Sequence, residues 1–148
     1  MAMKKVRRVQ DNVVTIPSQD CTLGFGRLVY EPFFAFYNLK SVEILPLTTI
    51  LTAPVAFKVC VRNYAVKSGI WPVTGKALLT PDLLEEPLFW KRDPMNDRLA
   101  IYRGSTSEEI PATQEECANL EWAAVWDLDH VVERLKAHFA GRPYDLFA

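Results

Sequence analysis

Proline is spread through most of this chain and limits the length of any helix in it. Nine of the ten prolines lie at or before Pro111, and only Pro143 follows. Because proline removes a backbone donor and clashes with the preceding helical turn, short strands fit between these positions better than long helices. A chain of 148 residues, 49% of them hydrophobic, can bury one core, so we predict a single domain over residues 1–148. Residues 1–10 and 144–148 are predicted to be frayed.

Period-two alternation of hydrophobic residues predicts strands through the first half of the chain. The clearest case opens the stretch Pro54–Lys76, where four apolar residues share one side, Val55, Phe57, Val59 and Val61. Further strands are predicted at Val13–Ile16, Leu23–Tyr30, Pro32–Asn38, Leu88–Arg92, Arg98–Arg103 and within Ala123–Trp126. The polar segment Asp93–Asp97 joins two of these strands as a hairpin turn. Gly24 and Gly26 predict close backbone approach or a strongly bent strand.

Capping signals predict several short helices and one longer helix near the C-terminus. The short helices are predicted at Pro46–Leu51, after Thr80 with Pro81 just inside, and at Gln114–Leu120 behind the capping-box pair Thr113 and Glu116. The longer helix, Leu128–Ala140, follows Asp127 and carries an apolar stripe. We therefore predict an α+β, mainly β fold. It would be a curved antiparallel sheet or partly open β-barrel with the C-terminal helix packed on it.

Charge and cysteine content argue against several classes of protein. The formal net charge of −1 gives no basis for a nucleic-acid or anionic-membrane partner. Cys21, Cys60 and Cys117 have neither zinc nor disulfide spacing, which is typical of free thiols in a reducing cytosol. The basic N-terminus has no apolar stretch of a secretory signal behind it, and no apolar run reaches the about 20 residues of a membrane span. We expect a cytoplasmic protein, with oligomeric state open and a monomer favoured.

The side chains that could support catalysis are poorly placed for it. His130 and His138 stand eight positions apart on one helix, about 12 Å along its axis, too far to share a metal ion. The Gly24-Phe25-Gly26 segment lies inside a strand and does not open a helix, so it does not predict a phosphate-binding loop. No nucleophile-elbow or HExxH pattern occurs. We predict no catalytic, cofactor-binding or metal-binding residue, and no enzyme.

Acidic residues are concentrated near the C-terminal end. Between Gly104 and Glu133 the chain has no Lys or Arg. It has eight carboxylates there, at Glu108, Glu109, Glu115, Glu116, Glu121, Asp127, Asp129 and Glu133. One interpretation is a solvated face that keeps the protein soluble, and the other is a docking surface for a basic protein partner.

A displayed aromatic residue is the second candidate for partner contact. Trp71 precedes Pro72 in the loop that follows the Ser68-Gly69 turn, and tryptophan is enriched among interface hot spots. Core placement is the alternative, and it is the one expected for Trp122 and Trp126. The predicted contact residues are Lys67, Ile70 and Trp71 in this loop, with Glu108, Glu109, Glu115 and Glu116 in the acidic region.

Several segments together resemble the immunity protein 26 family of bacterial polymorphic toxin systems. They are Val13–Pro17, Leu23–Val29, Phe33–Leu39, Ala56–Lys76, Phe89–Pro94, Ala123–Leu135 and His138–Pro143. The resemblance implies a cytoplasmic, mostly β protein, encoded beside a toxin, that protects its producer by binding the toxin domain without catalysis. The family pattern has proline after the cap aspartate, where this chain has Leu128.

Two other functions remain open at this point. One is a small β-barrel binding module, in which Phe25, Phe34 and Phe36 would contact a ligand or a single-stranded nucleic acid. The other is an enzyme with a site that no pattern here identifies, for which a bound metal or a deep polar pocket would be the first sign.

Overall fold

The structure is a computed structural model and describes residues 11–30, 33–62, 64–103, 106 and 108–144. Two ranges of the predicted frayed ends, 1–10 and 145–148, lie outside the described residues. The chain divides into a larger unit, Met1–Thr80 with Val125–Ala148, and a smaller unit, Pro81–Ala124. The assignment of a single domain stays a prediction. No described helix has the length and apolar character to cross a membrane.

Short elements make up both units, as the proline distribution predicts. The strands are β1 (Asn12–Pro17), β2 (Leu23–Tyr30), β3 (Phe33–Ser41), β4 (Val55–Val61), β5 (Val73–Lys76), β6 (Leu88–Arg92), β7 (Leu99–Arg103), β8 (Glu108–Pro111), β9 (Glu121–Trp122) and β10 (Val125–Trp126). The helices are α1 (Leu47–Thr52), α2 (Tyr64–Lys67), α3 (Pro81–Leu84), α4 (Gln114–Cys117) and α5 (Leu128–Phe139). The predicted α+β, mainly β class is confirmed.

The larger unit is built on a six-stranded sheet in the order β10-β4-β3-β2-β1-β5. The pairs are antiparallel except β10 with β4, which is parallel. Within the described chain the two outermost strands, β10 and β5, do not pair with each other, so the sheet is open and does not close into a barrel. The predicted strand Leu23–Tyr30 is found with the same bounds.

Both faces of this sheet are covered, which explains why β1 and β3 contain runs of five buried residues. On one face, Ile50 of α1 packs with Val13, Phe25 and Tyr37. On the other face, α5 lies against the sheet, as predicted for the C-terminal helix. A Cβ built on Gly24 would stand only 3.2 Å from Cδ1 of Leu135, so glycine here permits the close approach that the sequence predicts.

The smaller unit is a four-stranded sheet in the order β8-β7-β6-β9 with two one-turn helices. The predicted hairpin is confirmed, because β6 and β7 pair antiparallel around the turn at 93–98. The capping box of Thr113 and Glu116 is also confirmed. The helix behind it ends at Cys117 and not at Leu120, because residues 118–120 form a turn in which the Leu120 N–H bonds to the Cys117 carbonyl oxygen.

The long helix begins at Leu128, although its N-cap works differently from the prediction. Asp127 occupies the N-cap position, but its side chain makes no capping hydrogen bond. Its Oδ1 instead lies 2.9 Å from Nε of Arg62, in an exposed ion pair. The chain just before the helix is held beside the end of β4 by the pairing of β10 with β4 and by the Arg62 N–H, which donates to the Trp126 carbonyl oxygen at 3.0 Å. Leu128 is the first helical residue.

Candidate partner-binding surfaces

Trp71 is not displayed, and this part of the sequence interpretation is wrong. Its side chain is fully buried. The indole lies edge-on to the rings of Phe34 and Phe36, at centroid distances of 5.9 and 5.8 Å. The cause is α2, which the sequence analysis did not predict: the Trp71 N–H bonds to the carbonyl oxygen of Ala65 at 2.9 Å and turns the chain back onto the sheet. Trp71 is a core residue of the larger unit.

The two neighbours of Trp71 in the predicted contact set lie nearer the surface. Lys67 is exposed at the last position of α2, and Ile70 is half-buried. The turn between them is the predicted one, with Gly69 at a φ of +82° that favours glycine. Contact of Lys67 and Ile70 with a partner stays a prediction.

The four predicted acidic contacts all belong to the smaller unit and are exposed, but they do not share one face. Glu108 and Glu109 are consecutive residues of β8, so their side chains point to opposite faces of the sheet. Glu115 and Glu116 lie on the single turn of α4. Whether any of them contacts a partner stays a prediction.

The four acids differ in whether their carboxylates already have a bonded partner in the structure. Glu109 pairs with Nζ of Lys91 at 2.6 Å, and the Oε1 of Glu116 accepts the N–H of Thr113 at 3.0 Å in the capping box. Within the described residues, neither Glu108 nor Glu115 forms an ion pair. Glu108 and Glu115 are therefore free to meet a cationic partner, whereas Glu109 and Glu116 have local structural partners.

Charge is distributed unequally between the two units. The smaller unit has ten acidic and four basic side chains, a net charge of −6, and the rest of the chain has a net charge of +5. The overall charge of −1 conceals this polarity. An acidic unit of this kind attracts basic partners over a distance of about 8–10 Å at physiological salt.

A cleft of about 530 Å³ in the smaller unit is a feature that the sequence analysis missed. It runs from the ends of β6 and β7 across to β8, and its walls are Lys91, Arg92, Asp93, Pro94, Asn96, Arg98, Leu99, Ala100, Glu109 and Pro111. In the sequence, the cleft is indicated by Arg92 and Arg98, the two arginines that flank the hairpin turn. The participation of β8 depends on a strand that was not predicted.

The rings proposed for ligand or nucleic-acid contact are core residues. Phe25, Phe34 and Phe36 are each fully buried, so the expectation that they meet bases is wrong. The two histidines are exposed, and Nε2 of His138 lies 3.0 Å from Oδ1 of Asn38. In the part of the chain that the structure describes, no three His, Cys, Asp or Glu side chains form a group that could hold a metal ion. The three cysteines are free thiols, exposed at Cys21, half-buried at Cys60 and buried at Cys117.

One perturbed side chain lies where the chain leaves α5. Tyr144 packs against Trp126, and its hydroxyl donates to Oε2 of Glu133 at 3.1 Å. Burial of the phenol, followed by its hydrogen bond to the Glu133 carboxylate, raises the pKa of Tyr144 above its usual value of 10.0. Tyr144 is thus held against the helix, although the sequence analysis placed it in the frayed end.

Comparison with known proteins gave a match to one family. No curated protein and no solved structure matched the chain significantly. The model of the immunity protein 26 family matched residues 12–100, which is more than half of the chain and includes β1 to β6. This chain belongs to the immunity protein 26 family.

Proposed function

We propose that this protein binds and neutralises a cognate bacterial toxin domain in the cytoplasm of the producing cell, and that it does so without catalysis. The observation that carries the proposal is the family match over residues 12–100. Neutralisation by binding requires a surface that recognises one partner, and occlusion of the toxin is sufficient without a reaction.

The acidic smaller unit is the surface we propose for the toxin. Its net charge of −6 would steer a basic toxin domain and raise the association rate. Glu108 and Glu115 are the proposed first contacts, because no ion pair within the described residues neutralises them. Glu109 and Glu116 would contribute to the field, but each has a structural partner to give up first.

Lys67 and Ile70 are a separate proposed contact on the larger unit. Lys67 offers a flexible cation, and Ile70 offers a half-buried apolar side chain. This proposal no longer includes Trp71, whose burial removes it from any surface.

A protection assay tests the function. Bacteria carrying the active toxin encoded next to this gene should survive when they also express the wild-type protein, and the double variant E108K/E115K should protect less. The matched control is E43K/D129K, which changes the net charge equally at two exposed positions of the larger unit. Equal protection by both variants would rule out the acidic surface, and failure of the wild type to protect would rule out the function.

A further inference from the structure

The cleft in the smaller unit concentrates the few cations that this unit has. Three of its four basic side chains, Lys91, Arg92 and Arg98, line the cleft, although the unit as a whole has a net charge of −6. The fourth, Arg103, lies elsewhere and approaches Glu86 at 3.7 Å. With Asp93 and Glu109 also in the walls, the lining has a net charge of +1. The cleft is therefore a cationic spot on an acidic unit.

The three cations differ in their availability. Lys91 is occupied, because it pairs with Glu109 and its Nζ stands 4.6 Å from the centroid of the Tyr102 ring. Arg92 and Arg98 are exposed, and neither forms an ion pair within the described residues. A guanidinium presents a planar fork of donors that matches a carboxylate in bidentate geometry. Two such groups are available at the cleft.

The turn between these two arginines is held in one shape by its own side chains. The Met95 N–H donates to Oδ1 of Asp93 at 2.8 Å, and the Arg98 N–H donates to Oδ1 of Asn96 at 2.9 Å. The backbone adds a bond of 2.8 Å from the Asp97 N–H to the Asp93 carbonyl oxygen. A turn ordered in this way costs less entropy to bind against than a loose loop.

We infer that this cleft binds an acidic side chain on an extended segment of the toxin partner, with Arg92 and Arg98 holding the carboxylate. The proposal rests on the proposed function and names the recognition chemistry within it. Because the proposed partner is a protein, its anionic groups are the carboxylates of Asp and Glu, and a lining of net charge +1 attracts them. The volume of about 530 Å³ is that of a site for a few residues.

Side chains, and not backbone pairing, would carry recognition at this cleft. The neighbouring edge strand β8 has only four residues and ends in Pro111, which has no N–H to offer an added strand. A cationic spot within an acidic surface also gives specificity, because only a basic partner with an acid at the matching position satisfies both.

Nuclear magnetic resonance with a short peptide tests the cleft without any toxin. The probe is blocked hexaglutamate, its uncharged control is blocked hexaglutamine, and inorganic phosphate serves as a free anion. Hexaglutamate should cause saturable amide shifts at residues 91–100 of the wild type. These should disappear in R92Q/R98Q and persist in K76Q/R142Q, which removes two exposed charges from the larger unit. Absence of these shifts, their persistence in R92Q/R98Q, or an equal response to phosphate would overturn the proposal.

Titration with the inactive toxin domain then links the cleft to the partner. R92Q/R98Q should bind the domain about tenfold more weakly than K76Q/R142Q, the loss expected for one charge-assisted contact. If wild type binds and the two variants bind equally, the toxin does not use the cleft, and the proposed function stands. If wild type does not bind, the proposed function fails, and the peptide result alone decides the cleft.

Discussion

The indole of Trp71 stands edge-on to the ring of Phe36, with ring centroids 5.8 Å apart and planes inclined at 84°. Both side chains are fully buried, and Phe34 completes the cluster from the same strand. Trp71 thus joins the segment after α2 to the centre of the six-stranded sheet. This contact makes the residue a determinant of stability.

Replacing Trp71 should therefore make the protein less stable. Trp71→Ala should lower the free energy of unfolding by about 3–5 kcal/mol, the usual cost of removing a buried aromatic ring. Trp71→Phe should cost clearly less, because the indole N–H has no hydrogen-bond partner within the described residues. Urea titrations followed by circular dichroism measure both. An alanine variant of wild-type stability would contradict this assignment.

Arg27 is a buried cation that binds the backbone of residues 77 and 78, which follow β5. Its Nη2 donates to the carbonyl oxygen of Leu78 at 2.6 Å and also to that of Ala77, and the residue is only 2% exposed. Arg27→Met keeps the apolar stem and removes these bonds. It should lower the free energy of unfolding by about 1.5–3 kcal/mol, as for hydrogen bonds from a charged donor. In chemical denaturation, a loss below about 0.5 kcal/mol, typical of surface substitutions, would show that the bonds do not stabilise the fold.

Glu115 and Glu116 are adjacent residues of α4, but only Glu116 takes part in the capping box. Glu116→Ala removes half of the capping box and should cost about 0.5–1 kcal/mol of stability, whereas Glu115→Ala should be close to neutral. Thermal unfolding of the two variants checks this difference. The opposite order, with Glu115→Ala the less stable, would contradict the capping geometry.

The raised pKa of Tyr144 predicts a change in stability at alkaline pH. Burial and the bond to Glu133 favour the neutral phenol in the folded protein, so its pKa lies above the unfolded value of 10.0. This contribution to stability is complete below pH 10.0 and is lost as pH rises through the higher folded value. Unfolding midpoints measured from pH 8 to 11 should show this loss in wild type and a smaller one in Tyr144→Phe. Identical profiles would contradict it.

Local sequence signals predicted the elements that depend on local chemistry. The alternation in Leu23–Tyr30, the hairpin around Asp93–Asp97 and the capping box at Thr113 are each set by residues adjacent in sequence, and each is found. The helix α2 was not predicted, because a single turn of four residues is too short to show helical periodicity and includes valine and tyrosine, which are weak helix formers. Because α2 was not predicted, Trp71 was placed in an exposed loop.

The cleft could not be predicted from the sequence, for a different reason. Its charge pattern requires the pairing of β7 with β8, which sets Pro111 opposite Ala100 and brings Glu109 within reach of Lys91. β8 is a short, fully exposed strand with charged residues and a terminal proline, all of which weaken a strand signal. Side chains alternate along β8, so Glu108 and Glu109 point to opposite faces of the sheet. Their adjacency in sequence therefore does not give them a shared surface.

The most direct test of the account is calorimetric titration of this protein with the catalytically inactive toxin domain encoded beside its gene. The account predicts a one-to-one complex with a dissociation constant in the nanomolar range, about −12 kcal/mol of binding free energy. Absence of heat change and of complex formation with every neighbouring toxin domain would contradict it.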